Sequence, residues 1–339
     1  MRCTASVAAL LTLAAAPALA VPAVVADLVP TGALVQDVMG DLGEVRVLLP
    51  RGASAHHYQM RPSDAQALQA ADLVVWVGPE LTPWLDRAAG NLGEAAQLRL
   101  LQAEGTHLRG YGTGEAGHDD HHGHEDHHDH GHAGDHAHDH AASHDHDHDH
   151  DHDHEGHDHA EEGHTHSGTD PHAWLDPDNA ILWLDAIAAA LSEQDPDNAE
   201  TYRTNAAATA ERIAALDETL TQRLAPHADQ RFAVFHDAYG YFTEHFGLQP
   251  AVPVAIGDAS TPSAARIEAV RRDITASGAL CAFPEVAHDP ALLDTVAEGS
   301  SLRFGASLSP EGGEIEAGAG QYDTVLTSMA DALIGCFEK

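Results

Sequence analysis

Basic residues are scarce in this 339-residue chain: 16 Lys+Arg stand against 54 Asp+Glu, a formal net charge of -38 with histidine neutral. Nothing so acidic neutralises a phosphate backbone, so nucleic acid is excluded as a partner. Aromatic residues are also few, at 5%, and there are only three cysteines, which excludes a disulfide-dense scaffold. No apolar run reaches the roughly 20 residues that a bilayer span requires. Yet hydrophobic residues make up 43% of the chain, enough for one or two substantial cores. A wholly disordered protein is excluded.

What the chain has in excess is histidine, 29 in all, and the distribution is uneven. The 49 residues from His118 to His166 hold 21 histidines and 16 acids with no Lys or Arg. The remainder, 16 basic against 38 acidic residues, still carries -22. The tract has too little apolar surface to offset ordering entropy, so the sequence predicts a disordered loop over 112–169. A solubilising acidic linker would not require histidine at every second position. Many imidazoles on a flexible chain can hold several ions such as Zn, Cu or Ni at modest affinity without a fixed geometry.

The first 20 residues read as a secretory signal: Met1-Arg2, an apolar run from Val7 to Ala16, then Pro17-Ala18-Leu19-Ala20 with small residues at the cleavage positions. Cys3 stands too early to carry a lipid. The exported chain retains Cys281 and Cys336, which are expected to pair in an oxidising compartment and close a 55-residue loop.

Short apolar runs alternate with helical patterns in two series. The first contains Ala23–Ala26, Val45–Leu49 and Leu73–Val77, with a helix from Gly32 to Met39 and another from Ser63 to Ala70 opened by a capping box of Ser63 and Gln66. The second follows Pro226 and contains Phe232–Phe235, Ala251–Val254, Ala279–Phe283 and Leu302–Ala306. Continuous apolar strands separated by helices imply parallel sheets covered on both faces. Between the series, Asp195 as N-cap and Pro196 at the first turn open a stretch free of Gly and Pro as far as Ala225, a helix of roughly 29 residues and about 45 Å. The fold class is therefore α/β: two lobes, each a parallel sheet flanked by helices, joined by one long rigid helix, with the ligand in the cleft. The expected domains are a signal peptide at 1–20, an N-terminal lobe at 21–195 that includes the loop, the linking helix at 196–225 and a C-terminal lobe at 226–339.

Three motifs carry histidines outside the tract: Gly52-Ala53-Ser54-Ala55-His56-His57-Tyr58, Asp170-Pro171-His172-Ala173-Trp174-Leu175-Asp176-Pro177, and Phe235-His236-Asp237-Ala238-Tyr239-Gly240-Tyr241-Phe242. All three histidines stand at loop positions beside strand or helix ends, where parallel sheets collect polar groups. In this order, with a histidine-rich insertion before the second, the motifs resemble those of the zinc-specific solute-binding proteins of bacterial ABC importers, the ZnuA type, over nearly the whole exported chain. The resemblance implies one Zn(II) held by His56, His172 and His236, capture in the periplasm, and delivery to the membrane permease of an importer, with no reaction catalysed. The chain is expected to act as a monomer.

The resemblance leaves the fourth ligand open. Relatives often supply an aspartate where this chain has Ser309, and an acid before the first histidine is replaced by Ala55. Glu285 matches an acidic position near the site, Asp237 is a candidate partner for an imidazole, and His57 belongs to the surroundings of the site. His107, His227, His245 and His288 match no motif. Three histidines and an open water position also describe a zinc hydrolase, but no HExxH motif is present. A manganese importer is the other alternative, disfavoured because that harder ion prefers carboxylate oxygens. A metallochaperone or a zinc-dependent adhesin would leave no distinct mark.

Overall fold

A computed structural model describes residues 21–90, 95–111, 168–255 and 263–339. The signal-peptide expectation and nearly all of the His/Asp loop fall outside them.

The first series builds β1 (Val24–Ala26), α1 (Val29–Met39), β2 (Val45–Val47), α2 (Pro62–Gln69), β3 (Leu73–Trp76), α3 (Pro83–Ala89) and β4 (Ala96–Arg99). Two long helices follow, α4 (Pro177–Gln194) and α5 (Ala199–Leu224). The second series builds β5 (Phe232–Val234), α6 (Gly240–His245), β6 (Val252–Pro253), α7 (Ala264–Ser277), β7 (Cys281–Phe283), α8 (Ala291–Ala297), β8 (Arg303–Phe304) and the closing helix α9 (Gln321–Phe337). The sheets have the orders β2-β1-β3-β4 and β6-β5-β7-β8, and every pair of neighbours is parallel.

Strand residues alternate between two cores, as the period of two demands. In the first sheet Val24, Leu73 and Val75 join the main core while Val25, Val74 and Trp76 pack with Leu68, Trp84 and Leu85 on the other face. In the second, Phe232, Val234, Cys281 and Phe283 face the main core, and Ala233 and Ala282 face Val270, Ile274, Leu293 and Val296 of α7 and α8. Both sheets are thus covered on both sides. The main core is continuous across them, and α5 packs on α1, α4 and α9.

Four local expectations need correction. The helix at 62–69 begins at Pro62, not Ser63, and Asp64 rather than Gln66 returns to the cap, accepting the Arg61 N–H at 2.9 Å. Asp195 does not cap the long helix: its Oδ2 accepts from Asn198 Nδ2 at 2.6 Å and Tyr202 Oη at 2.9 Å, and a 3-10 turn at Pro196–Asn198 precedes α5. The strand β4, Ala-Gln-Leu-Arg, is an addition; it lies at a sheet edge and lacks an apolar run. Gly168 and Thr169 are ordered, since Gly110 bridges Thr169 and the Tyr111 N–H donates to Gly168 O at 3.1 Å. The expected disulfide is present, joining the start of β7 to α9 through Cys281 and Cys336. No helix among the described residues is long and apolar enough to cross a membrane.

Candidate metal centre

The loop after β2 carries His56, and β5 runs directly into Phe235 and His236, so each sheet contributes one imidazole from the carboxyl end of a strand. His172 precedes a 3-10 turn at Ala173–Leu175 and then α4, whose N-cap is Asp176: its side chain accepts the Asp178 N–H at 3.0 Å. These three segments bring one nitrogen each of His56, His172 and His236 within 4.8 Å of one another. The Nε2 atoms of His56 and His172 are 3.4 Å apart. In a tetrahedral zinc site with Zn–N bonds of about 2.05 Å, neighbouring donor atoms stand about 3.3 Å apart, so the pair already has the spacing of one edge. His172 and His236 are buried, while His56 is half-exposed.

Two of the rings are oriented by carboxylates. Asp170 Oδ1 accepts from His172 Nδ1 at 2.8 Å and from the His172 N–H at 3.0 Å. Glu285 Oε2 lies against His236 Nδ1, and Oε1 accepts the backbone N–H groups of Phe235 and His236, each at 3.1 Å. A carboxylate can only accept, so each Nδ1 carries the proton and each Nε2 keeps its lone pair for a cation. Arg109 braces the first of these pairs: its Nη1 is 3.4 Å from Asp170 Oδ2, and its guanidinium sits 5.5 Å over the Tyr241 ring. That crossing requires Gly240, where a Cβ would fall 1.4 Å from Arg109 Nη1.

The remaining candidates fall at varying distances from this centre. Glu285 holds His236 at Nδ1, and Asp237, the next residue in the chain, is half-buried. His57 is exposed, its ring 6.5 Å from that of His56. Ser309 lines a small pocket together with His236, Glu285, His288 and Glu311, and its buried Oγ has no hydrogen-bond partner among the described residues. His288 stacks on Phe235 at 4.3 Å, with its ring 5.5 Å from that of His236. The carboxylate beneath His172 was not singled out from sequence, although Asp170 stands two residues ahead of it in the same motif.

His245 forms a separate ionic cluster. Its Nδ1 is 3.0 Å from Asp176 Oδ1 and its Nε2 is 2.7 Å from Asp217 Oδ1, and His107 Nδ1 approaches the other Asp176 oxygen at 3.0 Å. Burial pulls the His245 pKa down, but the bonds to Asp176 and Asp217 outweigh it and raise the pKa to about 9. The folded state therefore holds a proton that the unfolded chain releases above its ordinary value of 6.5. The stability this supplies is full below pH 6.5 and lost as the pH rises through about 9. His245→Gln is expected to cost about 2 kcal/mol at pH 6, the middle of the range for bonds to a charged group, and little at pH 10. Urea unfolding of both proteins at the two pH values checks this; an equal loss at both would rule out the charged pair.

Comparison with known proteins identifies the lineage. Residues 24–336 match the family model described as zinc-uptake complex component A, periplasmic. The chain belongs to this family. It is 58% identical over 331 residues to the high-affinity zinc uptake system protein ZnuA of Paracoccus denitrificans, covering 97% of this chain and 96% of that protein. It is 39% identical over 318 residues to the protein of the same name from Brucella suis, covering 93% and 92%. Among solved structures, the Mn-bound periplasmic metal binding protein of Candidatus Liberibacter asiaticus superimposes with a TM-score of 0.67 at 19% identity, over 92% of this chain and 98% of that one. The Mn2+ complex of FpvC from Pseudomonas aeruginosa gives 0.68 at 21%, over 93% and 98%. These two establish the shared fold. Membership in the zinc-uptake family makes the chain a transport component rather than an enzyme.

Proposed function

We propose that this protein captures Zn(II) in the periplasm between His56, His172 and His236 and delivers it to the membrane permease of an ABC-type zinc importer. The His/Asp-rich tract serves as an accessory segment that binds further zinc weakly. The observation that carries this reading is the convergence of three imidazoles, one nitrogen of each within 4.8 Å of the others, two of them with Nδ1 fixed by a carboxylate. Such donors suit a borderline ion and give a harder one little oxygen. The relatives from Paracoccus denitrificans and Brucella suis are named as zinc uptake proteins, which supports the choice of zinc.

The manganese alternative draws on the fold neighbours bound to Mn. It is the weaker reading here, because Glu285 and Asp170 are engaged with the Nδ1 atoms and Glu311, in the same pocket as His236, accepts the Ala55 N–H. The hydrolase reading is the weaker one, because the chain belongs to a family of transport components.

The test is a competition titration with and without residues 118–166. Deleting the tract is expected to reduce the stoichiometry to one Zn and leave the tightest affinity in place, because all three cleft imidazoles lie outside it. Loss of tight binding in the deletion would overturn the division between a fixed site and an accessory segment.

A further inference from the structure

The segment from Leu308 to Glu314, where the sequence placed a possible fourth ligand, makes contact with the supports of all three imidazoles. Toward His236, Leu308 pairs with Glu285: the Val286 N–H donates to Leu308 O at 2.9 Å and the Leu308 N–H to Pro284 O at 2.8 Å. Toward His172, Pro310 O accepts Trp174 Nε1 at 2.8 Å. Toward His56 there are three bonds. Gly313 O accepts the Gly52 N–H at 3.0 Å, Glu314 O accepts Arg51 Nη2 at 2.9 Å, and Glu311 Oε2 accepts the Ala55 N–H at 3.1 Å.

Glu311 reaches the His56 loop through its side chain. It is 8% exposed, and it borders the same pocket as His236 and Ser309. The Ala55 carbonyl, on the opposite side of the same residue, accepts Trp84 Nε1 at 2.7 Å. The residue before His56 is therefore gripped from two directions, by a side chain of each sheet's region. A bond from a buried carboxylate to a backbone N–H is stronger than a neutral one, and a buried residue held on both backbone groups has little freedom to move.

We propose that Glu311 is a positioning residue of the metal centre: its bond to the Ala55 N–H holds the half-exposed His56 against the two buried imidazoles and so slows the departure of bound metal. The proposal rests on the reading of His56, His172 and His236 as the ligands. Of the three rings His56 is the most exposed, so a departing ion loses this donor first and the stiffness of its loop governs release. Ser309, by contrast, contributes a hydroxyl that makes no bond to the His56 loop.

Two conservative variants separate the bond from the charge. Glu311→Asp keeps the charge but withdraws the oxygen by one methylene; Glu311→Gln loses the charge but keeps an acceptor at the same reach. The readout is the slowest phase of Zn(II) removal from the full-length protein by excess chelator, with His172→Ala run alongside. Positioning predicts that Glu311→Asp speeds this phase about 10-fold, as loss of a bond to a charged group allows, while Glu311→Gln, which keeps the bond in its weaker neutral form, speeds it less, by about 5-fold at most. X-ray absorption at one equivalent of zinc is expected to show the same first shell in Glu311→Gln as in the parent. An unchanged rate in Glu311→Asp overturns the proposal, and so does a larger effect from Gln than from Asp. Loss of a zinc-bound oxygen in Glu311→Gln would make the residue a ligand and contradict positioning. If His172→Ala keeps the slow phase, the ligand reading itself fails, whatever the Glu311 variants do.

Discussion

Replacing His172 or His236 by Ala is expected to weaken the tightest Zn(II) site by at least about 100-fold. Binding energies of roughly 10–16 kcal/mol for four-ligand zinc sites assign about 3 kcal/mol to each donor. Both rings are buried, so the vacated space is lined by groups arranged for an imidazole, and a water entering there lacks the Nδ1 contact that Asp170 or Glu285 provides. His57→Ala is the comparison: an exposed ring next to His56 in sequence but outside the cluster should change the affinity less than about 3-fold, within the range of an ordinary surface substitution. Competition titration against a chelator of known affinity measures all three. Equal losses would mean that the first ligand is His57 or that the three rings do not form one site.

The second large effect concerns stability. Removing the Cys281–Cys336 bond, which closes a 55-residue loop, is expected to lower the unfolding free energy by about 4 kcal/mol, less any native strain. Both residues are buried in the main core, so Ala replacements avoid introducing an unpaired hydroxyl there. The bond ties β7, which leads into Glu285, to α9, which packs on α1 and α5. Urea unfolding of the double Ala variant against the parent, both in oxidising buffer, reads the difference. No change in the midpoint would show that packing alone fixes α9.

Local and short-range features were the legible ones. Val24–Ala26, Leu73–Trp76 and Phe232–Val234 are buried apolar runs with no competing period, and they became strands where the sequence placed them. Such runs are buried on both faces only in a parallel sheet with helices on each side, so the architecture followed from them. Misplacements arose where two local signals compete. Pro62 starts its helix one residue early because its fixed φ suits the first turn, and this puts Asp64 in the place assigned to Gln66. Asp195 before Pro196 has the local pattern of a cap, but Tyr202 and Asn198 claim its side chain once the chain turns.

The three imidazoles were legible only because each sits in a motif. Their supports divide by distance along the chain. Asp170 lies two residues from His172, a signal present in the sequence and overlooked. Glu285 is 49 residues from His236, and Glu311 is 256 from Ala55. Contacts that distant depend on how the second sheet folds and leave no local pattern. The segment at 308–314 is further concealed because most of its bonds use backbone atoms, whose partners no residue type announces.

The most direct measurement is zinc K-edge X-ray absorption on the protein lacking residues 118–166 and loaded with one equivalent of Zn(II). Three imidazole nitrogens and one water oxygen, all at about 2.0–2.1 Å, are the expected first shell. His56→Ala, His172→Ala and His236→Ala should each remove one imidazole contribution. A first shell containing a protein carboxylate, or an imidazole count that any of the three substitutions leaves unchanged, would contradict the cleft of three histidines.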